Sequence, residues 1–291
     1  MNLLSITWDF NPVLFPIFGV EIAYYGLMFV VAFLLGEFVF RKMVRREGLR
    51  EELVYSAFLY CMIAVVVGAR LGHCLFYDFP GYVLDPFMDS FPYIKILNIR
   101  GGGLASHGAA IGMVVGIFMW TRRNKIPPIW MFDRVGIVIA IGGAFIRLGN
   151  LFNSEIYGHE TSLPWGFIFV RDGGTVPMHP TQIYEALLYL LTAAVLLHIY
   201  YRTKWSDKRG VMFGVFLIML FGARLLVESI KLVQEPWETD MVSAIGLNMG
   251  QVLSIPFIVA GVVILWRALK RPAQPYTNMP KETKGTSRKK K

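Results

Sequence analysis

The segment VGIVIAIGGAFIRLGNLF, residues 135–152, sets the architecture of this chain: it carries a single ionisable group, Arg147, in an otherwise apolar run. At about 1.5 Å per residue, such a run is long enough as a helix to cross most of a ~30 Å hydrocarbon layer. Similar runs occupy residues 22–40, 53–76, 104–120, 183–201, 211–227 and 251–268. The 291 residues are 55% hydrophobic and 17% charged, whereas a soluble domain is about 45–50% apolar even with glycine counted. The sequence therefore predicts an all-α membrane protein with about seven transmembrane helices.

Working outward from that run, the connections alternate in basic content. Arg41, Lys42, Arg45, Arg46 and Arg50 follow the first run, and Arg122, Arg123 and Lys125 the third. Arg202, Lys204, Lys208 and Arg209 follow the fifth, and Arg267, Lys270 and Arg271 the seventh. The other loops hold Asp78, Asp85, Asp89, Glu160, Asp172, Glu235, Glu238 and Asp240 with few cations. Under the positive-inside rule the N-terminus is outside and the C-terminus cytoplasmic. This bias also accounts for the net charge of +9 without nucleic acid. The expected organisation is one transmembrane domain over residues 1–270, with external loops at 77–103 and 154–180. A basic, disordered cytoplasmic tail over 271–291 should follow, its Arg288, Lys289, Lys290 and Lys291 beside anionic lipid. No basic residue precedes the first apolar stretch and no small-residue cleavage site follows it, so no removed signal peptide is expected.

Ionisable groups inside a bilayer are costly and usually face the bundle interior, so each is a candidate site residue. With that orientation, Arg147, Asn150, Asn153 and Glu155 fall in the last external turns of the fourth run, and Arg224 and Glu228 near the external end of the sixth. His107 opens the third run behind Gly101, Gly102 and Gly103; Tyr25 lies near the start of the first; His179, Gln182 and Glu185 open the fifth; Arg70, His73 and Tyr77 close the second. Six helices thus bring polar residues to one leaflet. Arginine presents a planar fork of donors suited to phosphate oxygens, and the anion available at that depth is a phospholipid headgroup. Structural alternatives stand beside this. Arg224 and Glu228 also fit an i,i+4 ion pair, Asn150 and Asn153 fit interhelical hydrogen bonding, and Arg70 and His73 fit snorkelling to the interface. His198 and the Glu37/Arg41 pair read as structural. Cys61 and Cys74 share one apolar stretch with no CxxC spacing and read as packing residues.

Residues 147–158, RLGNLFNSEIYG, resemble the signature G-R-x-G-N-F-x-N-x-E-x-x-G of the prolipoprotein diacylglyceryl transferases. Two positions depart from it: Ile146 stands where the family has Gly, and Leu151 where it has Phe. Neither removes a polar group. The resemblance continues, in family order, through YYGLM at 24–28, GLASHG at 103–108, HPTQIYE at 179–185, GARLLVE at 222–228 and MGQVLSIP at 249–256. It implies transfer of an sn-1,2-diacylglyceryl group from phosphatidylglycerol to the lipobox cysteine thiol of a prolipoprotein, with release of glycerol phosphate, at the periplasmic side of the bacterial inner membrane. It implies no cofactor and no metal. The nucleophile belongs to the substrate. His107 is then the candidate base for a thiol of pKa near 8.5, and Arg147 and Arg224 are the cations facing the departing phosphate. Tyr25, Asn150, Asn153, Glu155, Gly158 and Glu228 line the substrate site by the same resemblance.

Three other readings fit less well. A transporter would place its polar groups near the midplane on paired broken helices, and no internal repeat is present. A retinal-type receptor lacks its lysine, since no Lys lies between Gly250 and Trp266. A scramblase would leave phosphatidylglycerol chemically unchanged.

Overall fold

The computed structural model describes residues 5–17, 20–88, 94–98, 103–232, 242–273, 276 and 279. Asp89, Gly101, Gly102, Glu235, Glu238, Asp240, Arg288, Lys289, Lys290 and Lys291 lie outside the described residues. Seven long helices occur among them: α1 (Tyr24–Arg46), α2 (Glu52–Phe76), α3 (Ser106–Asn124), α4 (Pro128–Phe152), α5 (Thr181–Arg202), α6 (Val211–Glu228) and α7 (Met249–Lys270). Each coincides with one expected run. Five of them, α2, α4, α5, α6 and α7, are long and apolar enough to cross a membrane. In α3 the apolar stretch is shortened by its Ser-His-Gly opening and its closing Arg122 and Arg123, and α1 carries Glu37, Arg41, Lys42, Arg45 and Arg46 in its second half.

The chain divides into two compact units, Met1–Phe40 with Phe132–Tyr276, and Arg41–Met131 with Thr277–Lys291. In the first unit, α6 packs on α5 and α7. Gly214 and Gly261 allow the close α6–α7 approach, since a Cβ on Gly214 would sit 2.9 Å from the Leu265 backbone nitrogen. Phe221 stacks on Phe257 at 4.3 Å between centroids. The N-terminus of α6 is capped from α4: Asp133 accepts the Gly210 and Phe213 N–H groups, each at 2.9 Å. The start of α7 is closed by a capping box between Asn248 and Gln251.

Four short strands accompany the helices. β1 (Ile6–Trp8) pairs in parallel with β4 (Phe167–Phe169), and β2 (Val13–Ile17) pairs antiparallel with β3 (Val20–Ala23). Ile22 and Ala23, expected at the head of the first helix, therefore belong to a hairpin that delivers the chain into α1. Strands of three to five residues are too short for an alternation signal. They fix the end of α4: Trp8 donates to the Leu151 carbonyl at 3.1 Å and packs with Phe10, Phe152 and Phe167.

In the second unit α2 and α3 pack on glycine. A Cβ on Gly108 would lie 2.2 Å from the Gly68 carbonyl oxygen, and one on Gly112 would lie 2.1 Å from that of Ala64, the close approach that small residues permit between membrane helices. Arg70 does not snorkel. It is 4% exposed and donates to the carbonyls of Lys95, Ile96, Asn98 and Gly103, tying down the segment between α2 and α3. Cys61 and Cys74 are both free thiols, the second buried.

Candidate active site

The cluster forms where α4 ends. Its final turns present Arg147 and Asn150, after which the backbone turns sharply through two non-glycine residues at positive φ, Ser154 (56°) and Ile156 (60°). Such conformations cost on the order of 1–3 kcal/mol each and persist where surroundings enforce them. Here they are enforced from α5, where Gln182 donates to the Glu155 carbonyl at 2.7 Å and Thr181 to that of Ile156 at 2.7 Å. The turn folds Glu155 back over the helix end, so that its Oε1 accepts from Asn150 at 2.7 Å and from Asn153 at 3.2 Å. Tyr25 joins this group through a hydrogen bond with Asn150. Gly149 makes room for its ring, since a Cβ there would lie 2.8 Å from Tyr25 Cδ2.

Arg147 is committed within the protein. Its Nε lies 3.0 Å from Glu185 Oε2, and its Nη1 donates to Asn150 Oδ1 at 3.3 Å. Glu185, on α5, has no exposed side-chain surface, and its Oε1 accepts from Lys231 Nζ at 3.0 Å. Lys231 also reaches Glu228 Oε2 at 3.2 Å. Arg224 lies 3.9 Å from that same oxygen, and its Nε is buried without a hydrogen-bond partner among the described residues. The expected Arg224–Glu228 pair is thus loose, and Glu228 is held by Lys231. Gly250 clears space for Glu228, because a Cβ there would sit 2.4 Å from its Cδ.

The structure therefore brings Tyr25, Arg147, Asn150, Asn153, Glu155, Arg224 and Glu228 together in one unit. Gly158 belongs to the same construction. It bridges to Lys231, and a Cβ on it would lie 2.3 Å from the Ile230 carbonyl oxygen. His107 sits in the first turn of α3, in the other unit, with an exposed side chain. Sequence reasoning placed Glu185 among the converging polar residues without assigning it a partner, and did not see Lys231. A carboxylate inside an apolar run was the signal for the first. The second lies just past the sixth run, three residues beyond Glu228, where a hydropathy reading stops.

The segment after the cluster is folded rather than open loop. Tyr157 stacks on Phe169 at 4.6 Å and donates to Asp172. That hydrogen bond, then burial, then the carboxylate charge push the Tyr157 phenol up to about 12. Burial, and secondarily His159, hold the His179 imidazole below its ordinary value.

A buried chain of alternating charge, ending on an arginine with an unused donor, is suited to an anion. The family model described as prolipoprotein diacylglyceryl transferase matches residues 12–267. The chain belongs to the prolipoprotein diacylglyceryl transferase family. Within that family, it is 44% identical over 278 residues to the phosphatidylglycerol–prolipoprotein diacylglyceryl transferase of Porphyromonas gingivalis, covering 92% of this chain and 96% of the relative. The Bacteroides fragilis protein of the same name is 38% identical over 270 residues, 91% of this chain and 95% of the relative. That of Chloroherpeton thalassium is 36% identical over 267 residues, with the same coverages.

Proposed function

We propose that this chain transfers the sn-1,2-diacylglyceryl group of phosphatidylglycerol to the lipobox cysteine of a prolipoprotein. The bond between the glyceryl carbon and the phosphate oxygen breaks, a thioether forms at the substrate sulfur, and glycerol phosphate leaves. The observation that carries this reading is Arg224, whose Nε is buried without a hydrogen-bond partner among the described residues while Lys231 holds Glu228, its i,i+4 carboxylate. That unused donor is available to the negative charge of a phosphodiester. As the carbon–oxygen bond breaks, negative charge grows on the phosphate, and a preorganised cation in a water-poor setting stabilises it most. Arg224 supplies that cation. Arg147 keeps its place through Glu185 and Asn150, while Glu155, Asn153 and Tyr25 orient the headgroup. His107 takes the thiol proton, an assignment resting on the family resemblance and on its exposed imidazole.

The same proposal includes all seven helices as spans, the N-terminus outside, and the site toward the periplasmic side of the inner membrane, with support from the alternating basic loops. Purified protein should release glycerol phosphate from phosphatidylglycerol when a lipobox peptide is present, and release without peptide-dependent lipidation would overturn the transferase reading. In whole cells, impermeant thiol reagents should label Ser106→Cys and Tyr157→Cys but not Arg45→Cys, Lys125→Cys or Lys204→Cys; the opposite pattern would overturn the orientation.

A further inference from the structure

Lys231 lies outside the quoted family blocks, yet it holds the centre of the charged chain. Its side chain is 5% exposed, and its Nζ sits between two carboxylates, 3.0 Å from Glu185 and 3.2 Å from Glu228. Glu185 is thereby shared between Arg147 and Lys231, and Lys231 takes the same Glu228 oxygen that Arg224 approaches. Arg224, with a side chain 40% exposed, stays 3.9 Å from Glu228 with its Nε unpartnered. Without Lys231 the balance changes: two carboxylates would face two arginines, Arg147 already bound to one and Arg224 one helical turn from the other. Arg224 would close on Glu228, as i,i+4 partners do, and its free donor would be lost. The backbone is built to deliver Lys231 there. Beyond α6 the chain pairs with the segment after α4, where Gly158 bridges Lys231 and His159 N–H donates to the Ile230 carbonyl at 2.9 Å.

We propose that Lys231 is a positioning residue that neutralises Glu228 and Glu185, and so leaves Arg224 available to the substrate phosphate. The proposal rests on the transferase reading for the identity of the anion, but its electrostatic content can be tested by binding alone. The full-length protein and three variants, Lys231→Met, Lys231→Arg and Lys231→Met/Glu228→Gln, would be compared in detergent. KM for phosphatidylglycerol, kcat, and inhibition by glycerol phosphate would be measured, together with thermal stabilisation by phosphatidylglycerol.

Lys231→Met should raise KM, weaken glycerol phosphate inhibition, and lose roughly 10²-fold in kcat/KM, the scale of one lost donor to the reacting anion. Lys231→Arg should keep most of the activity. The double variant should recover most of the loss, because removing the Glu228 charge frees Arg224 again. A purely structural lysine would be rescued in melting temperature alone, because the second substitution removes the buried charge left unpaired, so the rescue is read in KM and glycerol phosphate inhibition per folded molecule. Wild-type phosphatidylglycerol binding in an accumulated Lys231→Met protein, or a double variant no better than the single one, would overturn the proposal. Should Lys231→Met fail to accumulate, the Arg and double variants decide: both must be active. A wild-type protein that binds phosphatidylglycerol but transfers nothing would refute the transferase reading, and the thermal shifts would still judge Lys231.

Discussion

The two ends of the first unit both bury charge, and they do so differently. At the Asp133 end the carboxylate accepts two backbone N–H groups and the Tyr276 hydroxyl, the last at 3.1 Å. Arg134 and Arg209 stack on the Tyr276 ring at 5.0 and 4.8 Å. Asp133 is thus spent on holding α6. At the Glu155 end Lys231 and Arg224 both approach Glu228, and a buried Arg224 donor has no partner among the described residues. Unused donors are rare in native interiors, so that donor separates a site from a cap more sharply than burial does.

Substitutions should separate the two ends most strongly at their central residues. Arg224→Met and Arg147→Lys should each reduce transfer by roughly 10²–10³-fold, the loss expected for one transition-state donor, while the protein still accumulates. For Arg147→Lys the reason is geometric, since an ammonium cannot hold Glu185 and Asn150 together as a planar guanidinium does. Asp133→Asn should behave oppositely: an amide turned against a backbone N–H leaves a buried donor unsatisfied, at about 1–3 kcal/mol. Melting temperature and yield should fall while turnover per folded molecule holds. If Asp133→Asn lost turnover without losing stability, the distinction between the two ends would collapse.

Gly158→Ala comes next. The added carbon meets the Ile230 carbonyl at 2.3 Å, so the segment carrying Lys231 must move, at about 1–3 kcal/mol for overpacking. Activity should fall more than stability does, because the displaced residue sits among Glu185 and Glu228. Parallel measurement of melting temperature and kcat/KM checks this; equal losses in both would make Gly158 a packing residue alone.

These examples also mark what could be read from the chain. Helix positions were legible because apolar runs of membrane length have no other use, and Arg147, Asn150, Glu155 and Arg224 stood out as polar groups inside or at the ends of such runs. Partner choice was not legible. Glu228 has Arg224 one turn away on its own helix, yet it is held by Lys231, because the path of the chain after α6 is set by pairing near Gly158. The strands were hidden for a related reason: residues 13–23 are nearly as apolar as the helix they precede, and hydropathy cannot tell a hairpin from a helical turn. Nor did a tail read as disordered predict Tyr276 seated on Asp133.

Tyr276→Phe is the milder probe of the Asp133 end. It removes one hydrogen bond to a carboxylate that keeps two others, a change of about 0.5–1.5 kcal/mol, and it leaves the stacked ring in place. Burial, and then the Asp133 charge, hold the phenol above its ordinary value, so it donates at every physiological pH. A folded-state value raised above the unfolded one means that this contribution is intact below about pH 10 and is lost only as the pH climbs beyond it. A small drop in melting temperature with unchanged transfer is expected, and a drop in transfer would tie this end to the chemistry.

The smallest effect should come from residues belonging to neither end. Cys61 and Cys74 lie on α2 as free thiols, and the proposed reaction takes its sulfur from the substrate. A chain that used its own thiol would need that sulfur lowered in pKa by a cation or a helix N-terminus and partly exposed, yet Cys74 is 1% exposed and sits in the last turn of its helix. Replacing both with Ala removes two sulfur atoms, one from a packed interior, where the lost contacts cost on the order of 1 kcal/mol. Transfer should stay within about twofold of wild type, a change well below the 10²-fold scale of one lost donor. Thiol-blocking reagents should likewise inhibit the double variant no less than the wild type, since the thiol they consume is on the peptide. Loss of turnover in a folded Cys61→Ala/Cys74→Ala protein would instead require a covalent intermediate on the enzyme, and the unused donor at the Arg224 end would then have to serve a different leaving step.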